Sequence, residues 1–135
     1  MAFIAWTEEW EIKIPQLDAH HKQLVSFINS FHDAIEKGKG DIAVYTILPE
    51  LLNYTMYHFV AEEEIMEKYS YPQYKAHKEE HKFLVNKTIN FYEKYNAGDI
   101  NITAAVFDFM NEWFTKHIKG TDKLIYPFLK SKGYV

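Results

Sequence analysis

Seven side chains in the sequence, five histidines and two carboxylates, have the ligand types and the helical spacing of a metal site. His77 and His81 are four residues apart in a stretch of good helix formers, so both rings project from one helical face. Apolar residues continue that face and direct it toward a core. Two imidazoles on one inward face can converge on a single metal ion.

The other candidates are distributed over three further amphipathic segments: His21, His58, Glu62, His117 and Asp122. His58 and Glu62 are four residues apart, which again places both on one helical face. His117 and Asp122 are five apart, and five residues of ideal helix advance about 500°, which separates the two side chains. They reach one site only if the backbone unwinds or bulges between them, and Gly120 permits that.

Four amphipathic helices must position these residues. The apolar periodicity predicts them at about 18–37, 41–69, 72–95 and 101–119. An extended arm, residues 1–17, precedes them, and a short helix at about 122–130 follows. Because the loops are only a few residues long, the predicted fold is all-α: one domain, 1–135, built as an up-down-up-down antiparallel four-helix bundle.

Two helix boundaries carry specific signals. Asp18 suits the N-cap or first turn of the first helix, and Lys37-Gly38-Lys39-Gly40 is typical of its C-terminus. Pro49 leaves two alternatives for the second helix. It lies inside the helix and kinks it, or the helix begins near Leu48 with Pro49 in its first turn.

The composition excludes several classes of protein. At 47% hydrophobic and 17% aromatic residues, the 135-residue chain is not disordered. A formal charge of −4 without basic runs argues against nucleic acid as a partner. The lack of cysteine excludes disulfides and thiolate metal sites. No apolar run predicts membrane insertion and no signal peptide is evident, so we expect a cytoplasmic protein.

A single histidine on an apolar face is more often a hydrogen-bonded core residue than a ligand. For the whole set, however, each unpaired buried group would cost about 1–3 kcal/mol, and bound cations would satisfy all of them together. Zinc prefers four ligands, so a structural zinc site fits seven poorly. Two six-coordinate iron ions sharing two carboxylates and one oxygen bridge fit better. That arrangement leaves one position vacant for a small molecule.

The motifs that contain these residues resemble the hemerythrin family, most closely its single-domain bacterial members, the bacteriohemerythrins. They are Asp18-Ala19-His20-His21-Lys22-Gln23-Leu24, His58-Phe59-Val60-Ala61-Glu62-Glu63, Tyr71-Pro72 followed by His77 and His81, and His117-Ile118 followed by Asp122. The resemblance covers most of the chain, including a tryptophan-bearing arm.

The resemblance implies a non-haem di-iron centre with an oxo or hydroxo bridge that binds O2 reversibly. It implies that one iron is held by His77, His81 and His117, the second by His21 and His58, and that Glu62 and Asp122 bridge them. O2 is then held as hydroperoxide on the two-histidine iron. The expected role is oxygen carriage, storage or delivery by a monomer, with an O2-consuming acceptor protein as partner.

Two alternative functions remain open. One is a di-iron oxidase or peroxidase, but such enzymes typically use four carboxylates, so five neutral imidazoles favour a binding protein that is not an enzyme. The other is an O2 or iron sensor, which we expect to need a separate partner protein.

Several other residues carry expectations about the surroundings of the site. His20 stands where many hemerythrins have glutamine, so we expect a surface residue or an outer contact of a ligand. His32 is expected in the core or at its rim. Five residues are expected either to line the vacant position or to form an ordinary part of the bundle core: Leu24, Ile28, Phe59, Trp113 and Ile118.

Overall fold

The computed structural model describes residues 3–99 and 101–134, and all regular structure within them is helical. The bundle helices are α1 (Pro15–Glu36), α2 (Gly40–Lys68), α3 (Tyr74–Asn96) and α4 (Thr103–Phe109). A short helix, α5 (Ile125–Ser131), comes last in sequence order. Helix α2 packs against both α1 and α3, and α4 packs against α1 and α2. The predicted all-α, antiparallel four-helix bundle is confirmed.

Helix α1 begins at Pro15, three residues before the predicted start. Proline suits this first position because the amide that it lacks would have no intrahelical partner. Asp18 lies in the first turn, where its carboxylate accepts hydrogen bonds from the amides of Ile12 (2.8 Å) and Lys13 (3.1 Å). The arm that leads to α1 includes a 3-10 turn at Glu8–Trp10, and its residues 1 and 2 lie outside the described residues.

The C-terminus of α1 follows the predicted turn chemistry, and Pro49 takes one of its two predicted positions in α2. Gly38 has a φ of 73°, and the Lys39 amide donates to the Ala34 carbonyl at 2.8 Å, so the predicted glycine C-cap is confirmed. Helix α2 is continuous through Pro49, so a start near Leu48 is wrong.

The fourth helix is less regular than the sequence indicates. After α4 the chain forms π-helical segments at Met110–Phe114 and His117–Thr121, then a 3-10 turn at Asp122–Leu124. A π turn accommodates an additional residue and so shifts which side chains face inward. Phe114 is accordingly buried, whereas Trp113 is 45% exposed. The expectation that Trp113 faces the core is wrong.

The core consists of two apolar clusters separated by a polar layer. Along α1, Leu17 belongs to one cluster and Leu24 to the other, with His21 between them. Ile118 and Ile125 flank Asp122 in the same way. The polar layer is therefore enclosed on both sides. Within residues 3–99 and 101–134, no helix combines the length and apolar character that a membrane crossing requires.

Candidate metal centre

The structure brings all seven candidate residues together in the polar layer, and all seven are buried. Their potential ligand atoms form two groups, and within each group these atoms lie within 4.8 Å of one another. The three-histidine group contains Glu62, His77, His81, His117 and Asp122, and the two-histidine group contains His21, His58, Glu62 and Asp122. Both carboxylates belong to both groups.

The carboxylate of Glu62 directs one oxygen to each group. Its Oε1 lies 2.6 Å from His77 Nε2 and 3.0 Å from His81 Nε2. Its Oε2 lies 3.4 Å from His58 Nε2, on the other side. A carboxylate in this position can bridge two metal ions.

Asp122 repeats this division. Its Oδ1 lies 2.9 Å from both His77 Nε2 and His117 Nε2. Its Oδ2 lies 3.2 Å from His21 Nε2. The two carboxylates therefore separate three imidazoles from two, which is the asymmetry that the resemblance implies.

The π-helical segment His117–Thr121 places Asp122 beside His117. In a π helix the hydrogen bonds join residues five apart, so side chains at that spacing come onto one face. The predicted bulge between His117 and Asp122 is confirmed. Gly120 lies within the segment, and a Cβ built there would meet nothing within 4 Å.

Several of these ligand atoms approach one another at ion-pair distances without hydrogen-bond geometry. The buried atoms that lack a hydrogen-bond partner include Glu62 Oε2, His77 Nε2, His117 Nε2 and both carboxylate oxygens of Asp122. Leaving such groups unpaired costs about 1–3 kcal/mol each. Cations between these atoms would satisfy them, and nitrogen and carboxylate donors suit iron. The residues thus fit a pair of metal ions.

The neighbouring imidazoles favour the ionised form of both carboxylates. Burial opposes ionisation of Glu62, but contacts with four imidazoles, His117 first among them, hold its pKa well below the usual range. Burial and the charge of Glu62 also oppose ionisation of Asp122, but His117 and His21 hold its pKa below its usual value.

The pKa values of the histidines shift in different directions. Burial disfavours protonated His77, yet Asp122 and Glu62 raise its pKa to about 9. Burial likewise opposes protonation of His117, but Asp122, Glu62 and Glu80 raise its pKa well above the usual value. Burial lowers the pKa of His58 despite the proximity of Glu62. The two carboxylates therefore favour the protonated forms of His77 and His117, which they contact directly.

Residues 13–129 match the family model described as the hemerythrin HHE cation binding domain. The chain belongs to the hemerythrin family. The motifs that indicated a resemblance therefore reflect membership, and the match includes all four bundle helices and the cluster between them.

Curated hemerythrin relatives and solved structures agree with this assignment. Bacteriohemerythrin of Stenotrophomonas maltophilia is 30% identical over 91% of this chain and 79% of its own length. Bacteriohemerythrin of Methylococcus capsulatus is 31% identical over 97% of this chain and 100% of its own. The crystal structure of wild-type hemerythrin superposes with a TM-score of 0.84 at 31% identity, covering 95% of this chain and 98% of that one.

Two carboxylates that the sequence interpretation missed contact the three-histidine group from outside. His81 Nδ1 lies 2.8 Å from Glu63 Oε2, and His117 Nδ1 lies 2.9 Å from Glu80 Oε1. Thr121 donates a second hydrogen bond to Glu80 at 2.8 Å. Outer carboxylates of this kind orient imidazole ligands and raise their basicity. Their only sequence signal is adjacency, since Glu63 follows Glu62 and Glu80 precedes His81.

Apolar and aromatic side chains surround the polar layer. Phe59 stacks on the His81 ring with centroids 3.9 Å apart and an interplanar angle of 4°. Of the other expected wall residues, Leu24, Ile28 and Ile118 are buried in the larger apolar cluster, and Trp113 instead pairs with Phe83 near the surface. These surroundings limit the access of water to the centre.

The two remaining histidines lie outside both ligand groups. His32 is 31% exposed and stacks on Phe3 with ring centroids 4.2 Å apart, so it is a rim residue, as expected. His20 contacts His58, with 2.9 Å between their Nδ1 atoms. Burial, followed by the charges of His58 and His21, lowers the pKa of His20.

Proposed function

We propose that the protein binds O2 reversibly at a centre of two iron ions, for oxygen carriage, storage or delivery. The observation that carries this proposal is the division of Glu62 and Asp122 between three imidazoles and two. Two ions that share both carboxylates but have unequal numbers of imidazoles differ in coordination. The ion with only two imidazoles would then offer the open position for O2.

The proposed assignment follows the two ligand groups. One iron would be held by His77, His81 and His117, the other by His21 and His58, with Glu62 and Asp122 bridging. When bound, the iron pair supplies two electrons and one open coordination position. The outer carboxylates Glu63 and Glu80 would orient His81 and His117 toward their ion.

The apolar surroundings support reversible binding over turnover. Leu24, Ile28 and Ile118 are each no more than 2% exposed, and Phe59 covers one face of His81. A dry wall keeps out the water and protons that would convert bound O2 into released products. The histidine-rich donor set points the same way, because neutral imidazoles stabilise high-valent iron less than carboxylates do.

We further propose that the protein is a monomer and that it delivers O2 to an acceptor protein that consumes it. All seven candidate ligands come from one chain, so the centre needs no residue from a second copy. The proposed occupant is iron because five imidazoles and two carboxylates exceed the four ligands that zinc prefers.

The optical spectrum of the iron-loaded protein through cycles of air and argon tests this proposal. We expect a visible absorption band that appears with O2, bleaches under argon and returns with air over several cycles. An iron-free, colourless protein would contradict the di-iron centre. Continuous O2 consumption with release of peroxide or oxidised product would contradict carriage and favour an oxidase.

A further inference from the structure

His58 of the two-histidine group is constrained on three sides. Its Nε2 faces the cluster, 3.1 Å from His21 Nε2 and 3.4 Å from Glu62 Oε2. Its Nδ1 lies 2.9 Å from the Nδ1 of His20. The Tyr54 ring stacks on its face, with centroids 5.1 Å apart and an interplanar angle of 19°. Only Nε2 is therefore free to bind an ion.

The contact between His20 and His58, together with metal binding at His58 Nε2, would determine where each ring carries its proton. A neutral imidazole that binds metal through Nε2 carries its proton on Nδ1, so His58 donates a hydrogen bond toward His20. Two N–H groups cannot face each other at 2.9 Å, so His20 presents a lone pair on Nδ1. His20 then carries its own proton on Nε2.

We propose that His20 is a positioning residue that holds His58 as the Nδ1–H tautomer and directs its Nε2 at the two-histidine iron. This inference rests on the proposed di-iron centre and deepens it. His20 itself is not a ligand, because its near nitrogen is occupied by His58 and it belongs to neither ligand group.

The partner of His58 differs in charge from the outer partners of the three-histidine group. His81 and His117 donate to the carboxylates of Glu63 and Glu80, whereas His58 donates to a neutral imidazole. Hydrogen bonds to a carboxylate are stronger and make the donor ring more basic. His58 would therefore be a less basic ligand of the two-histidine iron than His81 and His117 are of the three-histidine iron.

The surroundings of His20 hold it in place. Its ring meets the edge of Tyr57 with centroids 5.2 Å apart and an interplanar angle of 83°. The Tyr57 hydroxyl donates to the side-chain oxygen of Gln23. Since His20 and Gln23 lie on α1 while Tyr57 and His58 lie on α2, the contact fixes the two helices around His58.

Three substitutions of His20 distinguish loss of the hydrogen-bond acceptor from loss of the volume of the ring. His20→Gln keeps a neutral acceptor, His20→Glu makes it a carboxylate, and His20→Leu removes it. His32→Leu, at a histidine outside both ligand groups, is the matched control. The first measurement is the rate at which an excess of chelator removes iron from the diferrous protein. The second is the exchangeable N–H signal of His58 in the hyperfine-shifted proton NMR spectrum.

We expect His20→Leu to release one iron about 10- to 100-fold faster, because the loss of an outer hydrogen bond lowers metal affinity by about this factor. The His58 N–H signal should shift and exchange faster with D2O. His20→Gln should retain the parent release rate, and His20→Glu should release iron no faster than the parent, because a carboxylate acceptor makes the donor ring more basic. His32→Leu should leave release rate and signal unchanged.

Two outcomes would overturn the proposal: a parent-like release rate and N–H signal in His20→Leu, or a loss of iron in His20→Gln as fast as in His20→Leu. Helical circular dichroism of each metal-free variant identifies a folding defect. If His20→Leu does not fold, the release rate and N–H signal of His20→Gln test the proposal instead. A parent protein that holds iron but binds no O2 would refute the proposed function while leaving this test intact.

Discussion

His117 and Asp122 are five residues apart in the chain, yet His117 Nε2 lies only 2.9 Å from Asp122 Oδ1. The π-helical segment His117–Thr121 makes this possible, since a regular α-helix would turn the two side chains away from each other. A local irregularity of the backbone thus completes the ligand cluster. π turns of this kind often occur at functional sites.

Gly120→Ala tests whether glycine is needed for that π turn. A Cβ at this position would meet nothing within 4 Å, and Gly120 does not have a positive φ. We expect the variant to keep its iron and to gain about 0.5–1 kcal/mol in the free energy of unfolding. Urea denaturation and iron analysis measure both. Loss of iron from a folded variant would show that the turn depends on glycine.

Gly40→Ala is the contrasting substitution. At Gly40 a Cβ would lie 2.8 Å from Ile35 Cγ1 and 2.9 Å from Thr103 Cγ2, where α2 passes the end of α1 and the start of α4. We expect a loss of about 1–3 kcal/mol in the free energy of unfolding from this overpacking. A thermal melt alongside Gly120→Ala provides the comparison, and equal stabilities would contradict the packing of these three helices.

His77→Ala should remove iron and weaken the metal-free fold. His77 Nε2 contacts both Glu62 Oε1 and Asp122 Oδ1, so truncation removes the closest partner of Glu62 and one of the two closest partners of Asp122. Breaking such a buried pair costs about 3–5 kcal/mol. Iron analysis and urea denaturation should show both effects, while the rim substitution His32→Ala should show neither. A His77→Ala protein with full iron content would exclude His77 as a ligand.

The metal-free protein should lose stability as the pH rises from 6.5 to about 9. The pKa of His77 is raised from 6.5 to about 9 in the fold, so folding favours its protonated form. Its contribution is complete below the unfolded pKa and disappears as the pH passes the folded value. Urea midpoints across this range measure the effect. A free energy of unfolding that stays constant or rises over this pH range would contradict the raised pKa of His77. The iron-loaded protein should lack the decline.

Tyr54→Phe should stabilise the metal-free protein. The Tyr54 hydroxyl is buried without a hydrogen-bond partner, and burial, followed by the charges of Asp122 and Glu62, raises its pKa well above the usual value. Removing an unsatisfied hydroxyl should raise the free energy of unfolding by about 1–3 kcal/mol. Tyr57→Phe, which loses a bond to Gln23 at the surface, is the control. A stability loss in Tyr54→Phe larger than in the control would reveal an interior partner.

The fold and the ligand cluster could be predicted from the sequence because both depend on local spacing. Apolar periodicity gave the helices, and the intervals His58 to Glu62 and His77 to His81 each fix one helical face. The five-residue interval before Asp122 even required the bulge that the structure contains.

What the sequence could not supply depends on tertiary placement. Trp113 and Phe114 exchange inward and outward positions because Met110–Phe114 is π-helical, and no residue pattern signals that shift. Glu63 and Glu80 look like ordinary exposed charges along the chain, since their contacts with imidazoles come from other helices. The contact between His58 and His20 likewise joins α2 to α1.

The measurement that tests the central claim most directly is the amount of O2 taken up per iron by the anaerobically reduced protein. An oxygen electrode and a parallel iron assay provide both quantities. The unequal division of imidazoles predicts saturation at one O2 for each pair of irons, with full release under vacuum. Uptake of one O2 per single iron, or none at all, would contradict a shared centre with one open position.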